Sequence, residues 1–514
     1  MPYRLLTTIG LLLLLGGLAV LPALPDDAAA APQPTSPPTN TPRATPLPTN
    51  TPRFTPTPEL PTATNTPLPT DTPVPSSTPT VTPTEQVFLP TPTLYYPPEL
   101  TDPQNQPTAV PTAMPRFRAM DLEGNSYELL NILLIGHDGE VIPSDPNFHT
   151  DTLIIVSINR DTNTVSMISL PRDLYVFIPN WGMQRLNQAY WYGEAIGWTD
   201  GGWGMLRQTL LYNFGIEVHY YAMADFSAFE TIIDTLGGVD IAVDCPIEDQ
   251  WCTENCNDGI EDNETYELRT VGVGVHEMNG EEALWYARSR RNTTDFDRGR
   301  RQQQLLRAIW ATAKNAGLIT QIPDLWGEMT SVVNTNFPLT EVIPLLPLAL
   351  QIEPNDIENH FFRKNIETIA WQPPDGSYVQ LPDPNGGMLR LIENFLAPPS
   401  QNRLRLENAR IEIFDGSTNS DWDLVAAERL VWEGFAPQAM GQADTTDYAN
   451  TVIYDFTSTT KGSSLNELIS LLNISPDNVI RDPDPDRTAD FRIILGANYN
   501  SCVGREWVDP ENLD

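Results

Sequence analysis

Lysine is almost missing from this sequence: Lys314, Lys364 and Lys461 stand against 27 arginines. Positive charge of any kind is scarce, because 67 acidic residues leave a formal net charge of −37. That balance argues against a general nucleic-acid binder, which presents a broad basic face to the phosphate backbone. Cysteine is rare too. Cys245, Cys252 and Cys256 lie close together and Cys502 far away. The spacing matches no standard zinc pattern, whereas an oxidising compartment permits one or two disulfides among them. The positive charge that does exist is concentrated, with seven arginines between Arg288 and Arg307. The anion expected there is small and local, since a guanidinium fork meets phosphate oxygens two at a time.

Residues 5–24 carry no charge, long enough to cross a hydrocarbon layer of about 30 Å as a helix. Arg4 precedes the run and Asp26 and Asp27 follow it, which predicts a cytoplasmic N-terminus with everything else outside. An uncleaved anchor over 1–30 is expected, with a cleaved signal peptide as the alternative because small residues follow at Ala28–Ala31. From 31 to 124 runs a Thr-Pro-rich segment, with 25 of the 49 prolines falling between 31 and 115. Such a sequence cannot bury a core, so a disordered, extended stalk is expected, reaching on the order of 200 Å.

Globular patterning begins near Tyr127. The apolar runs "NILLIG" and "DTLIIVSIN" read as strands, with a hairpin turn at Asp161–Asn163 leading into "TVSMISL". Helices are predicted at 201–214 and 225–236, the second stopped by Gly237-Gly238. A polar insertion at 245–270 separates the strand "VDIAV" from a capped helix, "NGEEALWYARSR", and a longer one starting at Asp295. The class expected is α/β, a mixed sheet flanked by helices over 125–400, with 320–400 read as helical and interrupted by prolines. A second, small α/β domain is expected over 405–503, from "RIEIFD", "TVIYDF" and "DFRIILG" with helices between them.

Three clusters carry chemistry. Asp138 follows one strand end and Asp151 precedes the next strand, so the two carboxylates are candidate ligands of Mg2+ or Mn2+ beside substrate phosphates. Taken singly, each is an ordinary turn or cap residue. Arg172 and Asp173 sit where Pro171 ends a strand, at the edge of a crevice. Arg298 and Arg301 are three apart on a helix, with Arg288 and Arg290 ending the element before it. Clustered guanidinium groups repel one another, and a pyrophosphate would offset that repulsion.

The motifs "NILLIGHD", "HTDTLIIVSIN", "MISLPRDLYVFIP", "RLNQAYWYGE", "GGVDIAV", "MNGEEALWYARSR" and "DFDRGRRQQQLL", in this order, resemble the LytR-CpsA-Psr (LCP) family over about 130–315. Residues 408–503 resemble the LytR C-terminal domain. The resemblance implies a phosphotransferase that moves a glycopolymer from a polyprenyl-pyrophosphate carrier to peptidoglycan or another envelope acceptor through a phosphodiester. It implies Asp138 and Asp151 as metal-associated acids, and Asp151, Arg172, Arg290 and Arg298 as the catalytic set. Arg288, Arg301, Gln302 and Asp173 are implied as substrate contacts, with Asn187 and Tyr190 matching an Asn-x-Ala-Tyr stretch. Where the family has Arg or Ser before the Asp-Thr pair, this chain has His149-Thr150.

A lipid carrier also needs an apolar channel, which "LRQTLLYNF", "FSAFETIIDTLGG" and "LLRAIWATA" are apolar enough to line. The expected setting is the outer side of a cell membrane, with no nucleic-acid partner. Two other readings keep the same residues: a pyrophosphatase acting on the lipid-linked glycan, and a surface glycan-binding protein without turnover.

Overall fold

A computed structural model of the chain describes residues 126–137, 148–254, 265–373, 376–397 and 407–510 apart from 459 and 506, with a few isolated positions besides. The run 5–24, the Thr-Pro repeats and Asp138 lie outside the described residues. Among the described residues no helix is long and apolar enough to cross a membrane.

The central sheet is built from β1 (Leu129–His137), β2 (Thr150–Asn159), β3 (Thr164–Ser169), β4 (Tyr220–Asp225), β5 (Asn334–Thr335) and β6 (Ile357–Phe361). Its order is β5–β4–β1–β2–β3–β6. The β1–β4 and β3–β6 pairs are parallel and the rest antiparallel, so the sheet is mixed. β1 and β2 are near-continuous apolar runs because both faces of the sheet are covered. Successive side chains of a strand alternate between faces. Ile132 and Leu134, with Ile154 and Val156, join one core, while Leu133, Ile135, Leu153 and Ile155 join the other.

The β2–β3 turn is held locally, with Asn159 Oδ1 accepting from the amides of Asp161 and Thr162 at 3.0 and 3.1 Å. Its tip uses Asn163 at φ 54°, a left-handed position that asparagine tolerates. Helices α1 (Ala189–Ala195) and α2 (Gly201–Phe214) pack on the second core through residues such as Tyr190, Met205, Leu206 and Leu210. The first core is covered by α3 (Phe226–Leu236), α4 (Gly280–Arg288) and α5 (Asp295–Asn315). α3 is capped by Asp225 and ends at Gly237, φ 82°. α4 opens on a reciprocal Asn279–Glu282 capping box. α5 is capped by Thr294 and carries Asp295 and Asp297 in its first turn, where the helix dipole favours negative charge.

The region 320–400 differs from its helical reading. Short helices run to Gln351, but Ile357–Phe361 then enters the central sheet in register with Val165–Ser169, and Thr368–Trp371 pairs with Val379–Pro382. The segment "IENHF" has neither a β-branched run nor clean alternation, so periodicity does not mark it as a strand. The polar insertion likewise holds a ribbon, Ile247–Glu254 against Thr265–Val271.

A second mixed sheet contains β7 (Arg410–Asp415), β8 (Ala436–Gln442), β9 (Val452–Asp455), β10 (Val479–Arg481) and β11 (Phe491–Leu495), in the order β8–β7–β11–β9–β10. It packs with α6 (Trp422–Trp432) and α7 (Gly462–Leu471) over Ile411, Ile413, Leu430, Leu468 and Ile493. A Cys245–Cys502 disulfide ties its distal end to the first sheet's layer.

Candidate functional site

Two strand ends and a helix start converge. Asp151 lies at the beginning of β2, and the Leu170 amide makes a last bond to the Leu153 carbonyl (2.9 Å) before Pro171 releases the chain and presents Arg172. α5 brings Asp295 and Arg298 to the same place. Arg172 Nη1 donates to Asp151 Oδ1 at 2.8 Å, and its Nε lies 3.5 Å from Asp173 Oδ2 and 3.6 Å from Asp295 Oδ2. Arg298 Nη2 is 3.2 Å from Asp295 Oδ2 and 3.4 Å from the Asp151 carbonyl. Arg290 Nη1 reaches Asp295 Oδ1 at 3.2 Å, and Arg185 Nη1 lies 3.6 Å from Asp173 Oδ1.

The positive charge in this cluster is incompletely compensated. Burial, together with Arg172 and Arg290, pushes the Arg298 guanidinium down to about 10 despite the opposing pull of Asp295 and Asp151. Burial by itself would lower Arg172 as well, but Asp151, Asp295 and Asp173 hold it above its ordinary value. Burial raises the Asp173 carboxyl, with Asp295 adding to the rise against Arg172 and Arg185. Arg172 Nε is buried and has no hydrogen-bond partner among the described residues. An anion at this spot would relieve the strain on Arg298 and supply an acceptor to Arg172.

Asp151, Ser169, Arg172, Asp295, Arg298 and Gln302 line a pocket walled by Phe296, Phe361 and Phe362. Next to it lies an apolar cavity between the sheet and helices α3, α4 and α5, lined by Leu134, Ile154, Ala222, Phe226, Phe229, Leu305 and Leu306 among others. Gln302 lines both, so the polar pocket and the apolar cavity are neighbours along α5. α5 explains the junction: 295, 298, 299 and 302 recur at helical spacing along one flank, and the apolar Leu305 and Leu306 continue it. Farther along the same sheet face, Ile132, Val156, Trp310 and Ile357 border another apolar cavity.

The other expected site residues are placed as follows. Arg288 lines the apolar cavity, with its guanidinium carbon 4.2 Å from the centroid of the Phe226 ring. Asn187 is buried beside the pocket, its amide donating to the Arg172 carbonyl at 3.1 Å, and its Oδ1 has no partner among the described residues. Tyr190 packs on Phe148, and burial, then Glu194 and Tyr221, push its phenol up to about 12. Neither lines the pocket.

Arg301 does not join the cluster. It is fully buried and donates to Asp297, Thr293 and the carbonyls of Tyr286 and Ser289. With those donors engaged it holds the loop and helix together, and no substrate contact is assigned to it.

Asp295, Ser169 and the Phe361–Phe362 wall are pocket residues that sequence reasoning did not single out. Asp295 carried a signal as a first-turn acid one helical turn before Arg298, whereas the phenylalanines sit at the end of the unrecognised strand β6. Among the described residues no three His, Cys, Asp or Glu side chains converge as a metal cluster.

Fold and site together give an α/β protein in which paired arginines and aspartates line a pocket beside an apolar cavity. The LytR_cpsA_psr family model matches residues 103–384, more than half of the chain, and the chain belongs to that family.

Similar proteins include the regulatory protein MsrR of Staphylococcus aureus (strain COL), 32% identical over 212 residues that cover 41% of this chain and 57% of MsrR. Another is the polyisoprenyl-teichoic acid–peptidoglycan teichoic acid transferase TagT of Bacillus subtilis (strain 168), 28% identical over 243 residues, 46% of this chain and 68% of TagT. The chain thus spans little more than half the length of MsrR. Among solved structures, B. subtilis TagV aligns with a TM-score of 0.42 and 24% identity, over 52% of this chain and 96% of that one. TagT with bound octaprenyl pyrophosphate aligns with a TM-score of 0.36 and 23% identity, over 55% and 94%.

Proposed function

We propose that the protein is a glycopolymer phosphotransferase, taking a glycan from a polyprenyl-pyrophosphate carrier and joining it through a phosphodiester to a hydroxyl of peptidoglycan or a comparable envelope polymer. The observation that carries this reading is that Gln302 lines both the pocket holding Arg172 and Arg298 and the neighbouring apolar cavity, an arrangement suited to a diphosphate that carries a prenyl chain. The relatives' teichoic acid transferase activity agrees with it.

In this reading Arg172, Arg298 and Arg290 bind the diphosphate, each charge-assisted hydrogen bond contributing about 1.5–3 kcal/mol. The acceptor oxygen attacks the glycan-linked phosphorus. The bond from that phosphorus to the bridging oxygen breaks, polyprenyl phosphate leaves, and the hydroxyl proton passes to Asp151. Asp151 Oδ1 is already held by Arg172, so the carboxylate is oriented as well as charged. Asp138 and Asp151 would hold a magnesium ion, two hard oxygen donors sufficing when phosphate oxygens complete the shell. When bound, that ion neutralises charge on the diphosphate. Retention outside a cell membrane by the run 5–24 and the Thr-Pro stalk belongs to the same proposal, as does a LytR C-terminal-type domain at 405–503.

The test is incubation of the full chain with a lipid-linked glycan and purified peptidoglycan, followed by analysis of the product linkage. A phosphodiester to the polymer is expected. Release of glycan phosphate to water with no polymer-linked product would instead support the pyrophosphatase, and binding without turnover the attachment protein.

A further inference from the structure

The flank of α5 that faces away from the pocket is occupied by residues from the far end of the chain. Arg300, which is 5% exposed, donates through Nη2 to Asp244 Oδ1 at 2.8 Å and lies 3.3 Å from Asp297. Asp244, 6% exposed, also accepts from Arg505 Nε at 3.1 Å. The Asp244 carbonyl takes the Ser501 hydroxyl, and the next residue, Cys245, is bonded to Cys502.

The loop before α5 is held from the same side. Asn292 and Val508 exchange hydrogen bonds, the Val508 amide to the Asn292 carbonyl at 2.9 Å and Asn292 Nδ2 to the Val508 carbonyl at 3.1 Å. Trp507 bridges Thr293 and donates to the Pro246 carbonyl at 2.7 Å. Asn292 is two residues from Arg290, and Arg300 is two residues from Arg298.

We propose that Arg505 and Val508 are positioning residues of the anion pocket. The C-terminal segment sets the backbone of the Arg290 loop and the first turns of α5, and through them the two guanidinium groups. For the ligand this rests on the transferase reading above. The physical ground is twofold. A buried carboxylate shared by two guanidinium groups holds its partners in one arrangement, because losing either leaves an uncompensated charge out of water. A phosphate site built from charge-assisted hydrogen bonds weakens steeply when its donors move by an ångström. The second sheet is therefore part of the scaffold of the site rather than an independent module on a tether.

The test compares the full chain with its Arg505→Gln and Arg505→Lys variants, by amide hydrogen exchange and by titration with octaprenyl diphosphate in detergent. Arg505→Gln should raise exchange at 290–300 at least tenfold while leaving Ile132–Ile135 and Ile493–Leu495 protected. It should also weaken octaprenyl diphosphate about tenfold, with Arg505→Lys recovering most of both. Unchanged exchange at 290–300 in Arg505→Gln overturns the proposal, as does exchange raised equally in both sheets. If wild-type protein ignores octaprenyl diphosphate, the transferase reading falls while the exchange comparison still decides whether Arg505 sets the loop.

Discussion

α5 carries two arginine–aspartate clusters on opposite flanks, and they are built differently. On the back, Arg300 and Arg301 are buried, with contacts of 2.8–3.3 Å to Asp244, Asp297 and the Thr293 hydroxyl, and Arg301 also donates to the Tyr286 and Ser289 carbonyls. On the front, Arg172, Arg290 and Arg298 share Asp151, Asp173 and Asp295, mostly through contacts of 3.2–3.6 Å, and Arg172 keeps a buried donor unused. The same residue types thus do two jobs. In the back cluster Nε, Nη1 and Nη2 of Arg301 are all engaged, whereas in the front cluster Arg172 Nε has no partner among the described residues.

The largest effect should come from breaking the back cluster. Asp244→Ala leaves Arg300 and Arg505 buried with a partner removed, and a loss of about 3–5 kcal/mol in urea unfolding is expected. Burial alone would raise the Asp244 carboxyl, but Arg300 and Arg505 hold it below its ordinary value. Its folded pKa is depressed, so its contribution to stability is fully present above the unfolded value of about 4 and is lost as pH falls through the folded value. Wild-type protein should therefore lose stability steeply below about pH 4, and Asp244→Ala should show a shallower acid limb.

The front cluster should respond in the opposite sense. Arg298→Ala removes a guanidinium already disfavoured by burial and by Arg172 and Arg290. Transfer should fall about 100-fold or more, the scale for losing one preorganised donor. The unfolding midpoint should stay put or rise slightly. Full transfer by this variant would end the distinction between the flanks.

Between these lies the apolar cavity. Leu306→Trp places a larger side chain in this cavity and should weaken octaprenyl diphosphate about tenfold while sparing inorganic pyrophosphate. Equal losses for both ligands would mean that the cavity and the pocket do not serve one molecule.

How much of this was legible in the sequence depends on the element. β1, β2 and β3 are apolar runs around an Asn-rich turn, and α3, α4 and α5 carry explicit caps, so the layer order and the strand ends holding Asp151 and Arg172 could be read directly. β6 could not: of "IENHF" only Ile357 is buried, and its pairing with β3 is a long-range event without local signature. The two flanks of α5 were not separable either. Arg298 and Arg301 are about 60° apart around the helix, close enough to be read as one face, and what divides them is the direction of the sheet. Arg300 pairs with Asp297 at helical spacing, but its other partner, Asp244, lies 56 residues away and is shared with the distant Arg505, which no spacing rule shows.

The smallest effect tests the boundary between the flanks. Arg290 starts the loop whose Asn292 is bonded to Val508, yet its side chain is 47% exposed and, among the described residues, bonds only Asp295, at 3.2 Å. Solvent screens such a pair, so Arg290→Ala should change stability by less than about 1 kcal/mol. Its charge lies against Asp295, which lines the pocket, and depresses Arg298, so in the proposed reading two consequences oppose each other: one donor to the diphosphate is lost, and Arg298 becomes easier to keep charged. Octaprenyl diphosphate affinity should fall by a few-fold, well short of the Arg298→Ala loss, and the fall should shrink as salt is raised and the exposed charge is screened. A loss as large as that of Arg298→Ala, insensitive to salt, would place Arg290 in direct and desolvated contact with the ligand and move the edge of the site outward to the loop.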